Sequence, residues 1–80
     1  MVDRLTGKKA VGIKQTAKAI KSGEAKIVYI AKDADGKLVQ NIEMSARENA
    51  LEIKYINTMK ELGRLCGIDV GAATAAILQK

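Results

Sequence analysis

The chain has 80 residues, 48% of them apolar and 29% charged, a globular balance with room for one thin core. It contains no histidine and no proline, and its single cysteine, Cys66, cannot close an internal disulfide; zinc clusters and histidine-based acid–base sites are excluded by composition. The net charge of +5 is unevenly placed: residues 1–22 carry six basic groups (Arg4, Lys8, Lys9, Lys14, Lys18, Lys21) against Asp3, and residues 23–80 carry eight of each sign.

In chain order, a short apolar piece over residues 9–13 ends near Gly12, and Ile13, Ala17 and Ile20 then recur at helical spacing up to Gly23, a C-terminal stop. This predicts a strand turning directly into a helix. "KIVYI" (residues 26–30) is a continuous β-branched and aromatic run, the pattern of a strand covered on both faces. Asp33 and Asp35 in "KDADG" are helix-start signals, and Leu38, Val39, Ile42 and Ala46 form the apolar stripe of a second helix ending near Asn49. "LEIKYI" (residues 51–56) alternates as a half-covered or edge strand does. "TMKE" (residues 58–61) is a capping-box pattern opening a helix with Met59, Leu62 and Leu65 inward and Gly67 as its stop. After the loop "GIDVGA", the small apolar run "ATAAIL" predicts a last buried strand. The alternation β-α-β-α-β-α-β predicts one domain over residues 1–80, an α/β/α sandwich on a mainly parallel or mixed sheet. No run has the length of a secretion signal or a membrane span, so a cytoplasmic protein is expected.

Enzymatic readings fail on the residues. The carboxylates are spread over helix starts and polar faces, and Cys66, beside Leu65, Gly67 and Ile68, reads as a buried structural thiol. "TGKKA" lacks the upstream glycine and terminal hydroxyl residue of a phosphate loop. Gly63, Gly67 and Gly71 recur every four residues, but Arg64 and Asp69 lie between them; Gly67 is assigned to end a helix and Gly71 to allow a tight turn.

The stretch "VGIKQTAKAIKSG" (residues 11–23) is different. At about 100° per residue, Lys18 and Lys21 each lie within about 40° of Lys14, on one helical stripe. Like charges at this spacing repel by roughly 0.2–0.5 kcal/mol per pair, and no acidic residue on the helix offsets them. A polyanionic partner would reverse that sign; a solvated lysine face is the other reading. Gln15, in the first turn, adds an amide able to bond a base edge in two places. Single-strand readers stack bases on aromatic rings, and the two candidates, Tyr29 and Tyr55, sit in strand patterns that predict burial. The remaining target is a distorted duplex whose groove admits a helix tip, because regular A-form RNA hides its major groove.

"VGIKQTAKAIKSG", "AKIVYIAKDAD" and "LGRLCGIDVGAATAAIL" together closely resemble the first helix, a central strand with the following helix start, and the last loop and strand of the ribosomal protein L7Ae and L30e family in its small bacterial form. The resemblance covers nearly the whole chain. It implies a three-layer α/β/α sandwich with a four-stranded mixed sheet and binding to kink-turn RNA, where a helix tip enters a widened groove beside tandem sheared G·A pairs. Carried onto this sequence, it implies that Gly12 lets backbone approach RNA, that Gln15 reads a base edge, and that Lys14 and Lys18 bind guanine or phosphate. Lys21 extends that stripe. It also implies that Ile68, Asp69 and Val70, ending at Gly71, form the loop against the extruded nucleotide. Archaeal kink-turn members resemble Asn-Glu where this chain has Lys14 and Gln15; a glutamate can only accept, whereas a glutamine donates and accepts.

The expectation is therefore a monomeric, non-enzymatic protein without cofactor, membrane or small-molecule substrate, whose partner is a kink-turn in ribosomal or other structured RNA. The alternative is a protein-interaction module of the same fold whose lysines meet an acidic protein surface.

Overall fold

A computed structural model describes residues 8–79, so Asp3 and Arg4 of the basic first quarter lie outside the described residues. The element order is β1 (Lys9–Val11), α1 (Ile13–Lys21), β2 (Ala25–Ala31), α2 (Gly36–Glu48), β3 (Glu52–Ile56), α3 (Met59–Leu65) and β4 (Thr74–Leu78). The strands form one sheet in the order β1-β4-β2-β3. β4 is antiparallel to both its neighbours, β1 and β2, while β2 and β3 run parallel, giving a mixed sheet.

β2 alternates between two cores, as its unbroken apolar run requires. Val28 and Ile30 join Ala19 and Ile20 of α1, Ile42 and Ala46 of α2, and Ala76 of β4 on one face. Tyr29 and Ala31 join Leu62 of α3 and Cys66 just after it, with Ala72 and Ala75, on the other. Two helices therefore cover one face and one helix the other, the three layers that the alternating sequence predicts. The small residues of β4 suit its central place, since alanines at 75 and 76 let helices approach both faces closely.

Each helix ends in the same hydrogen-bonded stop. In α1 the Glu24 amide donates to the Ala19 carbonyl and the Gly23 amide to that of Ile20; in α2 the Leu51 amide donates to Ala46 and Ala50 to Arg47; in α3 Ile68 donates to Gly63 and Gly67 to Arg64. The turning residue has positive φ in all three, and in α2 it is the non-glycine Ala50, at φ 55°.

Four expectations are corrected. The buried face of α1 is Thr16, Ala19 and Ile20 with Ile13 half-buried, and Ala17 is exposed. The helix is turned so that its lysines point away from the core instead of flanking it, because the buried polar contact made by Thr16 seats a residue that hydropathy alone leaves outside. Leu38 is 55% exposed, since Val39, Ile42 and Ala46 already fill the inward face of α2. Asp33 does not start α2: Asp35 does, accepting from the Lys37 amide at 2.9 Å, and Asp33 reaches across to accept from the Met59 amide at the start of α3, at 2.7 Å. Tyr29 is buried as predicted, but Tyr55, on the edge strand, is 44% exposed with its hydroxyl donating to the Glu43 carboxylate.

Candidate nucleic-acid interface

Because β1, β2 and β3 point the same way, their C-terminal ends lie together at one end of the sheet, and the segment entering β4 meets them there. Backbone bonds lock this end: Gly12 donates to Thr74, Ala31 to Ala73, Lys32 to Ile56 and Ala72 to Met59, all at 2.7–3.0 Å. Ligand sites of open α/β sheets form outside such carboxyl ends.

Gly12 is the hinge between β1 and α1. Its φ of 100° and ψ of 164° suit glycine, and nothing lies within 4 Å of where a Cβ would stand, so this half-buried residue borders open space on that side. α1 begins without a side-chain cap and without an acidic residue in its first turn, leaving the positive end of the helix uncompensated. Lys14 and Gln15, both exposed, flank that end. Behind them the fully buried Thr74 hydroxyl donates to that of Thr16 at 3.1 Å, tying the first turn of α1 to the start of β4.

Lys18 is exposed one turn further along the helix, and Lys21 stands roughly 10 Å of helical rise from Lys14. Both occupy the last turn, where cations also complement the helix dipole. The structure thus brings Gly12, Lys14 and Gln15 to the same end of the sheet as the loop that precedes β4, with Lys18 next along the helix; Lys21 lies at the opposite end of α1.

The loop splits the two apolar residues assigned to it. Ile68 packs half-buried against the α3 core, with its amide held by the Gly63 carbonyl, while Val70 is 69% exposed and Asp69 and Gly71 are also exposed. Gly71 does not have positive φ; its lack of a side chain matters instead because a Cβ there would stand 3.2 Å from Met59 Cβ.

Sequence reasoning missed three contributors. Lys32, exposed and directly after β2, adds a cation at the same end of the sheet; a lysine closing a buried strand was the available signal. The Thr16 and Thr74 pair is hidden in sequence, since 58 residues separate its members. Gly63, buried in the middle of α3, lies against the Val70 carbonyl.

Tyr55 is a lone exposed ring whose hydroxyl is engaged by Glu43, itself 3.4 Å from Arg47, so it forms no series of stacking rings. Burial pushes the Cys66 thiol pKa up, against a smaller opposing pull from Lys9, and an uncharged buried thiol is a poor nucleophile. Among the described residues no group of His, Cys, Asp and Glu could hold a metal ion, and no helix is long and apolar enough to cross a membrane.

The chain is similar to known proteins over most of its length. The chain is 53% identical over 76 residues to an RNA-binding protein of Caldanaerobacter subterraneus subsp. tengcongensis, covering 95% of this chain and 93% of that one. It is 42% identical to the RNA-binding protein YbxF of Geobacillus stearothermophilus, over 91% and 89% of the two chains. It is also 37% identical to the large ribosomal subunit protein eL8 of Halobacterium salinarum, over 96% of this chain and 65% of that one. In three dimensions it is similar to the 15.5kD RNA-binding protein of Giardia lamblia, with a TM-score of 0.83 and 26% identity over 90% of this chain and 61% of that one. None of these relatives bears the name of an enzyme. A family model matches residues 2–80, and the chain belongs to the ribosomal protein L7Ae/L30e/S12e/Gadd45 family.

Proposed function

We propose that this chain is an RNA-binding protein that recognises a kink-turn in structured RNA, ribosomal RNA included, in the cytoplasm. The observation that carries the reading is the uncapped, acid-free start of α1, where Lys14 and Gln15 stand exposed beside Gly12, a residue without a side chain. A helix N-terminus with free amides and adjacent cations attracts phosphate, and a glutamine in its first turn can bond a base edge. The RNA-binding names of relatives matched over nearly the whole chain support the same reading.

In this reading Gly12 lets backbone approach the RNA, Gln15 reads a base edge, and Lys14 and Lys18 bind guanine or phosphate, with Lys21 contributing charge further along the backbone. Val70 covers the extruded nucleotide from above, Ile68 forms the floor of that contact, and Asp69 and Gly71 complete the loop. The exposure of Val70 supports this role, since an apolar side chain that is 69% exposed gains burial only from a partner.

The test is a titration against two RNAs that differ only at the sheared G·A pairs. Replacing those pairs by Watson–Crick pairs closes the groove to the helix tip, and specific binding is expected to disappear. Equal affinity for the regular duplex would reduce the site to charge attraction and favour an acidic protein surface as the true partner.

A further inference from the structure

We infer that Gly63, on the inner face of α3, is a positioning residue that sets the height of Val70 above the RNA-facing end of the sheet; the inference rests on the kink-turn reading above. A Cβ at position 63 would stand 1.9 Å from the Val70 carbonyl oxygen, 3.0 Å from its carbonyl carbon and 3.1 Å from Gly71 Cα. These are backbone atoms, so no rotamer change relieves the overlap. The loop itself has to retreat, by on the order of 1 Å, before an ordinary contact returns.

Two bonds decide where the retreat falls. The Ile68 amide is held by the Gly63 carbonyl at 3.0 Å, and the Ala72 amide by the Met59 carbonyl at 3.0 Å, so both ends of the loop are pinned to the backbone of α3. Displacement therefore concentrates on residues 69–71, with Val70 at their centre. The same geometry explains why Val70 is exposed: its carbonyl is pressed inward onto Gly63, which leaves its side chain facing out. Glycine is unfavourable inside a helix, and at Gly63, which is buried and lies under the loop, the close approach of the loop backbone is what a side chain would block. Gly71 makes the matching approach from the loop side, against Met59.

The experiment is a double-mutant cycle of G63A, V70S and the double variant, read as affinity for kink-turn RNA, with circular dichroism and thermal unfolding on each protein. G63A is expected to weaken binding about tenfold with its secondary structure kept, and in the V70S background the same change is expected to cost no more than about twofold, because the side chain it displaces is already gone. Losses that multiply in the double variant, or full affinity in G63A, overturn the inference and leave Gly63 a packing residue. Should G63A fail to fold, G71A, whose Cβ meets Met59 Cβ at 3.2 Å, takes its place with a smaller expected loss and the same non-additivity with V70S; full affinity or multiplying losses there overturn the inference equally. V70S at full affinity would instead withdraw the loop from the interface, and the proposed function's second contact with it, whereas weak binding by V70S beside full affinity in G63A would sink the positioning role alone.

Discussion

The two halves of the interface are held in place by opposite means. The helix tip is positioned by groups that are present: Gly12 donates its amide to Thr74, and the buried hydroxyls of Thr16 and Thr74 bind each other 3.1 Å apart. The loop is positioned by groups that are missing, since the Val70 carbonyl can press onto α3 only because residue 63 has no side chain. A rigid helix start supplies charge and hydrogen bonds from a fixed direction, while a loop pinned at both ends supplies an apolar surface at a fixed height. The proposed recognition of a bent duplex would use both, because groove edges are read by donors and an unstacked base is covered by apolar contact.

The largest expected effect sharpens the loop side. Leu62 is fully buried in the core under α3, and Val70 is exposed in the loop. Leu62→Ala is expected to cost about 2–5 kcal/mol of stability, and Val70→Ser to stay within about 0.5 kcal/mol while weakening RNA binding. Thermal unfolding and RNA titration on the same two proteins check this; a large loss of melting temperature in the Val70 variant would return that residue to the core.

A smaller effect tests the helix side. Thr16→Val keeps the shape and leaves the Thr74 hydroxyl buried without its partner, at a cost of about 1–3 kcal/mol. The double replacement of Thr16 and Thr74 by valine is expected to recover part of that loss. Should chemical denaturation find the single variant as stable as the original, the hydroxyl pair would not be what seats α1.

The smallest effect on stability comes from the lysines, yet it separates charge from position. Lys14→Ala and Lys18→Ala are each expected to lower the salt slope of RNA binding by about one for every phosphate the side chain had neutralised, with Lys37→Ala, on the exposed first turn of α2, leaving it unchanged. Lys21→Ala, at the far end of α1, is expected to change affinity less than Lys14→Ala. Equal weakening from Lys14, Lys18 and Lys37 would dissolve the assigned patch into general attraction.

What the sequence revealed follows the same division. The order of elements, the double-faced strand, the helix stops and the basic stripe were legible because periodicity, β-branching and charge are carried by residues one can see. The inward face of α1 was misread because Thr16 pairs with a hydroxyl 58 positions away, a match that no local window contains. Asp33 looked like the start of the nearest helix and instead caps α3, 26 residues on, for the same reason. Tyr55 was expected inside because its strand alternates, but an edge strand covered on one side by α2 leaves a large ring partly outside. Gly63 was the least legible residue, since a glycine in a helix announces no neighbour; that a Cβ there would stand 1.9 Å from the Val70 carbonyl oxygen is visible only in the fold.

The central place of β4 has a consequence for how the molecule is assembled. The helix tip follows β1 and the apolar loop precedes β4, so residues 19–67 separate them, and they become neighbours only when residues 74–78 slot between β1 and β2. Closing so long a loop is slow compared with forming local helices. During synthesis the chain thus holds every lysine of α1 well before it owns a shaped surface. On the proposed function, charge attraction to RNA precedes discrimination, which arrives in a single late step when one strand completes the sheet and brings the two halves of the proposed site together.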